Sequence, residues 1–191
     1  MNELAHEVLQ FWFGDEQPLA ARPEWFRKSD AFDHEIAQRF GPLIERALRG
    51  ELAAWRDASA ETALAQVIVL DQFTRNVFRN TPRAFSGDPL ALSTARAMLA
   101  QGQDVELAPV QRVFVYLPLE HAEDLRLQDE SVRLFTQLQA ATPDAQGWLD
   151  YAQRHREVIA RFGRFPHRNA LLGRSSTPEE LRYLRQPGSG F

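Results

Sequence analysis

The 191-residue chain is long enough to form one medium-sized domain with a sizeable hydrophobic core. Its 44% hydrophobic and 25% charged residues are typical of globular proteins and exclude a disordered or fibrous chain. The absence of cysteine excludes a disulfide framework, a thiolate metal site and a cysteine nucleophile. The formal net charge of -4 argues against a nucleic-acid partner, because proteins that bind nucleic acids usually present a basic surface.

The first residues carry acids at Glu3 and Glu7 rather than a basic segment before an apolar one, so no signal peptide is expected. The longest apolar runs, such as 67–70 and 113–119, are much shorter than the roughly 20 residues of a membrane-spanning helix. We therefore expect a cytoplasmic protein without a membrane partner.

Hydrophobic residues recur at helical spacing along nearly the whole chain, and no pair of strand-like segments flanks a hairpin turn. The sequence predicts a single all-α domain of about seven to nine helices over 1–185 and a loose tail rich in glycine and proline over 186–191. The predicted helices cover 2–13, 29–48 with a kink at Gly41–Pro42, 59–78, 88–102 with Asp88 as N-cap, a short segment from Pro109, a segment from Pro118 to about 140, 147–162, and a short segment after a capping box at 177–180.

One predicted helix, 59–78, carries a strip of polar side chains along its second half. Asp71 and Arg75 are i,i+4 neighbours, as are Gln72 and Asn76, so these side chains can form a continuous hydrogen-bonding surface. An isolated pair of this kind is most often a solvent-exposed ion pair that supports the helix. The strip, which falls within an arc of about 140° on a helical wheel, consists of Asp71, Gln72, Arg75, Asn76 and Arg79.

The predicted helix after Pro118 carries ionisable side chains on its apolar side. Glu120, His121, Asp124 and Gln128 project onto the same side as several leucines. Buried carboxylates are costly unless cations neutralise them. We therefore expect arginines from other segments to face this helix.

A third polar region lies in and after the predicted helix at 147–162. His155 lies among apolar residues of that helix, which favours a buried structural imidazole over a ligand-binding one. The following loop is dense in hydrogen-bond donors, and such loops often carry function. These donors are Arg164, His167, Arg168 and Asn169.

Several common chemistries lack their sequence signatures. The chain has no Gly-x-Ser-x-Gly elbow, no phosphate-binding loop and no dinucleotide-binding fingerprint. The nearest metal-like pattern is Glu120-His121-x-x-Asp124, but di-iron bundles use the reverse order and need a second copy. We therefore predict no metal and no cofactor.

Three motifs coincide with the three polar regions: DQFTRNVFR at 71–79, YLPLEHAED at 116–124, and RFGRFPHRN at 161–169 followed by LGRSSTPEE at 172–180. Together with the opening LQFWF at 9–13, they resemble a bacterial family of unknown function with a tetratricopeptide-like fold. The resemblance implies a compact stack of antiparallel helix pairs and supplies no activity. Thr74 stands where the family pattern has proline and Ala122 where it has serine, so the resemblance implies no serine nucleophile at position 122.

Charge compensation among the three regions predicts one pocket between the helices that binds a small anionic or polar ligand. Glu120, His121 and Asp124 are its candidate catalytic acids and bases. The predicted ligand-binding residues are Gln72, Arg75, Asn76, Arg79, Arg164, His167, Arg168 and Asn169.

Two other interpretations remain open at the level of the sequence. A tetratricopeptide-like groove would bind a peptide or protein partner and would be exposed and concave. A polar network that only fixes the register of the helices would instead be fully paired within the chain.

Overall fold

The computed structural model describes residues 2–15, 18–25, 27–142 and 145–190. Helix accounts for 73% of the structure, and the described residues contain no strand, which confirms the predicted all-α fold class. None of the helices formed by these residues is long and apolar enough to cross a membrane.

The described part of the chain forms nine helices if 60–77 is counted as one, within the predicted range. A buried π-helical segment, Ile68–Phe73, joins α4 to α5 and makes 60–77 continuous. The α-helices are α1 (Glu3–Phe13), α2 (Asp30–Leu48), α3 (Ala53–Arg56), α4 (Ala60–Val67), α5 (Thr74–Val77), α6 (Asp88–Gln101), α7 (Pro109–Glu120), α8 (Leu125–Ala141), α9 (Gln146–Phe162) and α10 (Pro178–Leu184). Short 3-10 helices cover Pro23–Trp25, Pro82–Phe85, Gln103–Glu106 and Pro166–Arg168.

Side-chain caps fix the start of several helices where the sequence predicts them. Ser29 accepts a hydrogen bond from a backbone N–H of α2, and Ser59 does the same for α4. Thr177 and Glu180 form the predicted capping box at the start of α10, with a proline at its first position. These boundaries depend on neighbouring residues alone.

The start of α6 differs from the prediction. Gly87 is its N-cap residue, and Asp88, which we expected in that role, is the first helical residue. A Cβ atom at Gly87 would overlap the carbonyl oxygen of Leu70, so the glycine allows α6 to approach the π-helical segment closely. The Asp88 carboxylate binds the guanidinium of Arg75 at 2.8 and 3.1 Å rather than the helix end.

The predicted break at Pro118 is also wrong. Helix α7 continues through Pro118 to Glu120, and the interruption lies at 121–124. Asp124 caps α8 by accepting the N–H of Arg126 at 2.8 Å. The Gln128 side-chain amide donates to the carbonyl oxygens of Glu120 at 2.6 Å and Ala122 at 2.8 Å, which satisfies acceptors that the end of α7 leaves free.

Contacts along the backbone divide the chain into two compact units. Unit 1 comprises the residues up to Arg79 together with Arg83–Pro118, and unit 2 comprises Asn80–Pro82 and the residues from Leu119 onwards. The single domain over 1–185, the loose tail over 186–191 and the tetratricopeptide-like stacking stay predictions, and the last residue of the tail lies outside the described part.

The core of unit 1 is rich in aromatic side chains. Trp12 of α1 is fully buried, and its ring centroid lies 5.6 Å from those of both Phe73 and Phe114 and 6.1 Å from that of Trp25. Helix α4 packs against α1 and α6 in this unit, and all of its residues except Glu61 are buried. Burial on all sides explains why the sequence of α4 is apolar on nearly every face.

Unit 2 is built on the packing of α8 against α9. Val158 and Ile159 of α9 form a hydrophobic cluster with Phe165, which follows the helix and is fully buried. Phe162 and Tyr183 of α10 pack against this cluster. The 3-10 helix Pro166–Arg168 therefore starts from a residue that is anchored in the core.

Candidate functional site

The polar strip of 59–78 lies in unit 1, and partners inside that unit bind its charges. The Asp71 carboxylate is 1% exposed, accepts a hydrogen bond from Gln72 at 2.6 Å and forms an ion pair with Arg75 at 3.1 Å. Arg75 also binds Asp88, so one guanidinium bridges two carboxylates. Burial opposes the charge on Arg75, but Asp71 and Asp88 outweigh it and raise the pKa of Arg75.

The end of the strip is held by an acid that the sequence analysis did not single out. Asp33 of α2 accepts two hydrogen bonds from Arg79, at 2.8 and 2.9 Å, and one from Asn76 at 2.7 Å. In the sequence Asp33 resembles an ordinary acid in the first turn of a helix, and its partners are more than 40 residues away. Only the packing of α2 against α5 reveals this contact.

A buried carboxyl–imidazole pair links the end of α7 to α9 within unit 2. Glu120 and His155 are 3% and 4% exposed, and Glu120 Oε1 lies 3.1 Å from His155 Nδ1. The same Nδ1 is 2.9 Å from the carbonyl oxygen of Tyr151, an acceptor, so Nδ1 carries the hydrogen. Burial above all, with the charge of His121 next, lowers the pKa of His155 to about 3. The predicted burial of His155 is confirmed.

The ring of Phe165 is the centre of a group of polar side chains. The imidazoles of His155 and His167 lie 5.5 and 5.6 Å from its centroid, and the guanidinium of Arg168 lies 4.4 Å away over its face. Arg168 donates to the carbonyl oxygen of His121 at 3.0 Å, and the His121 ring is 6.3 Å from that of His155. We call His121, His155, His167 and Arg168 the imidazole cluster.

Electrostatics keep His167 neutral at neutral pH. Burial and then the charge of Arg168 lower the pKa of His167 to about 4. His121 and Arg174 act in the same direction, whereas the carboxylate of Glu123 acts against them. Burial and the charges of Arg168 and Arg174 therefore act against protonation of His167, and the carboxylate of Glu123 favours it.

An acidic side chain of α10 accepts hydrogen bonds from two of the predicted ligand-binding residues. Arg164 binds Glu180 through two hydrogen bonds of 2.6 and 2.8 Å, and Asn169 donates to Glu180 at 3.3 Å and to Ser176 at 3.0 Å. The hydrogen bonds from Arg164, above all, lower the pKa of Glu180 to about 2. The capping motif identified Glu180 in the sequence only as a helix-capping residue.

Asp124 occupies a different position from the one that the helical wheel gave. Because α7 ends at Glu120, Asp124 lies in the connection, where it is exposed and caps α8. Glu123, which sequence reasoning missed, binds the loop after α9 instead. The helical wheel assumed one continuous helix through 121–124. Because the structure interrupts that helix, the side chains at 121–124 do not take the directions that the wheel assigned to them.

Two further features of the described residues bear on ligands. They contain no group of three or more histidine, aspartate and glutamate side chains that could hold a metal ion. A surface cleft of about 380 Å³ lies in unit 1, and Arg46, Trp55 and Thr62 are among its lining residues. None of the predicted site residues lines this cleft.

The predicted site residues thus fall into two sets. Gln72, Arg75, Asn76 and Arg79 lie in unit 1, whereas Glu120, His121, Asp124, Arg164, His167, Arg168 and Asn169 lie in unit 2. Within unit 2 the structure groups His121, His167 and Arg168 and gives Arg164 and Asn169 an internal acidic partner. A single pocket that includes both sets stays a prediction, as does a peptide-binding groove.

Comparisons with known proteins agree with the resemblance seen in the sequence. No protein of curated function matches the chain. The chain is similar to the protein of unknown function ATU0120 from Agrobacterium tumefaciens, with 40% identity and a TM-score of 0.85 over 95% of this chain and 97% of that one. Residues 8–188 match the model of a family described as bacterial proteins of unknown function, DUF924. The chain therefore belongs to the DUF924 family.

Proposed function

We propose that the protein binds a small anionic ligand at the imidazole cluster of unit 2. The observation that supports this proposal is the position of two guanidinium groups, those of Arg168 and Arg174, close enough to the imidazole of His167 to lower its pKa, with the carboxylate of Glu123 acting against them. A carboxylate or phosphate bound there would reduce the mutual repulsion of these cations. Binding of the anion would therefore be favourable even though the cluster is partly buried.

The side chains of the cluster suit recognition of an oxyanion. A guanidinium presents several N–H donors in a planar fork, which matches the geometry of carboxylate and phosphate groups. Neutral imidazoles such as that of His167 add N–H donors without adding charge. The ligand that these groups favour is a small carboxylate or phosphate compound.

The Glu120–His155 pair gives this site a means of proton transfer if the ligand is a substrate. Since Nδ1 of His155 donates its hydrogen to the carbonyl oxygen of Tyr151, the basic lone pair of the neutral ring is on Nε2. His121 and His167 are the partly exposed imidazoles of the cluster, so solvent reaches both. We assign Glu120 and His121 as candidate acid–base groups, and a catalytic role of Asp124 stays a prediction.

Thermal unfolding of the full chain tests the proposal. Inorganic phosphate, pyrophosphate and citrate are each compared with sodium chloride at equal ionic strength. An anion present at 100 times its Kd should stabilise the parent protein by about 3 kcal/mol, which corresponds to a rise in Tm of several degrees. The proposal is wrong if none of the three anions raises Tm above the chloride control.

Variants then locate the binding site. His167→Gln and Arg168→Gln should both abolish the rise in Tm that an anion produces. Arg156→Gln is the matched control, because Arg156 is an arginine of the same unit that binds only the exposed Asp129, at 2.6 Å. A rise that persists in both cluster variants, or that disappears in the control, would place the anion elsewhere.

A further inference from the structure

We propose that Glu123 and Arg174 form a latch that holds the loop after α9 closed and thereby positions His167 and Arg168. The latch consists of these two side chains, and the loop covers residues 163–174. That the latch controls anion binding rests on the proposed function. That it positions the loop is independent of any ligand.

Glu123 of the latch binds a backbone N–H group of the loop. Glu123 Oε1 accepts the backbone N–H of Phe165 at 2.8 Å. Both Glu123 oxygens accept hydrogen bonds from Arg174, at 2.6 and 2.9 Å, in a bidentate ion pair. Burial opposes ionisation of Glu123, but the hydrogen bonds from Arg174 and Phe165 outweigh it and lower the pKa of Glu123.

Arg174 binds the backbone carbonyl group of the same residue, Phe165. Its guanidinium donates to the carbonyl oxygen of Phe165 at 3.1 Å and to the side-chain oxygen of Asn169 at 3.0 Å. Both backbone polar groups of Phe165 are therefore bound by the latch. Because the next three residues include His167 and Arg168, whose side chains pack on the Phe165 ring, the latch fixes their positions as well.

The ends of the loop provide points at which it can turn. Gly163 ends α9 and Gly173 precedes Arg174, and both adopt a left-handed conformation, with φ of 68° and 65°. Side chains other than glycine rarely adopt such angles. Because the ring of Phe165 is anchored in the core, breaking the latch would move the part of the loop that follows Phe165, without unfolding α9.

The pKa of His167, measured by NMR titration of its imidazole, distinguishes a latch from an ordinary ion pair. The charge of Glu123 raises the pKa of His167. If Glu123→Gln removed only this charge and left the loop in place, the pKa would fall below its value of about 4. Release of the loop would expose His167 to water, and the pKa would rise towards the ordinary value of 6.5.

We expect the rise. The His167 signal is assigned by its loss in His167→Gln. Asp129→Asn is the matched control, since it removes an exposed carboxylate of the same unit whose partner Arg156 does not touch the loop backbone. A pKa for His167 that falls or stays constant in Glu123→Gln would overturn the proposal.

A second variant covers the case in which Glu123→Gln does not fold. Arg174→Lys keeps the positive charge but removes the planar fork that contacts Glu123, Phe165 and Asn169 together. Its electrostatic effect on His167 is small, so a rise in the pKa of His167 reports release of the loop. An unchanged pKa in a folded Arg174→Lys protein would also overturn the proposal.

The phosphate titration separates this proposal from the proposed function. If phosphate stabilises the parent protein but not Glu123→Gln, and the pKa of His167 rises in that variant, both proposals hold. If no anion stabilises the parent while the pKa of His167 rises in Glu123→Gln, the latch holds and anion binding fails. If the parent gains stability but the pKa of His167 does not rise in the variant, anion binding holds and the latch fails.

Discussion

Replacing His167 with glutamine should remove part of the acid sensitivity of the protein. The pKa of His167 is about 4 in the folded state and 6.5 when the ring is unperturbed. Below pH 6.5 the unfolded chain therefore takes up a proton that the folded chain does not, and the free energy of unfolding falls as the pH falls. At about 1.4 kcal/mol per pH unit over this interval, ionisation of His167 removes about 2 kcal/mol between pH 7 and pH 5.

Urea unfolding followed by far-UV circular dichroism at pH 7, 6 and 5 measures this effect. The stability advantage of the parent over His167→Gln should shrink by about 2 kcal/mol from pH 7 to pH 5. His155, whose pKa is lowered in the same direction, is present in both proteins, and most of its contribution cancels because His167 is only a minor cause of its shift, well behind burial. His6→Gln, which replaces an exposed imidazole, is the control variant. A difference between parent and His167→Gln that is constant across this pH range would refute the assignment of a neutral imidazole at position 167.

Three further predictions concern stability at neutral pH, and chemical denaturation measures each. His155→Ala should lower the free energy of unfolding by about 1–3 kcal/mol, because it leaves a cavity and removes the hydrogen bonds of Nδ1; a variant as stable as the parent would contradict a structural role. Gln128→Met should cost about 1–3 kcal/mol, since two carbonyl oxygens at the end of α7 lose their donor, and a neutral result would show that water replaces the amide. Gly87→Ala should destabilise the protein by about 1–3 kcal/mol, because the added Cβ atom would overlap the carbonyl oxygen of Leu70. Gly147→Ala, the control at an open position of α9, should be neutral or stabilise the protein by up to about 1 kcal/mol. Equal effects at the two glycines would disprove the close approach of α6 to the π-helical segment.

The sequence motifs contain residues of the imidazole cluster, but the partners of these residues do not follow from the sequence. The motifs marked His121, His167 and Arg168, and these residues share the surroundings of one phenylalanine ring. Glu123, by contrast, falls at the margin of the helical wheel because the wheel continues a helix that the structure interrupts. A side chain whose role depends on a break in the backbone cannot be placed by a periodicity that assumes no break.

The all-α class and the starts of several helices follow from the amino-acid sequence alone. Ser29, Ser59 and Thr177 each bind a backbone N–H within three residues, so the information needed to predict them is local. Which charges are paired, by contrast, depends on the tertiary structure. Asp33 meets Arg79 across 46 positions of the chain. Such contacts depend on how helices pack, which burial and shape determine, and many acids in one sequence could satisfy the same arginine.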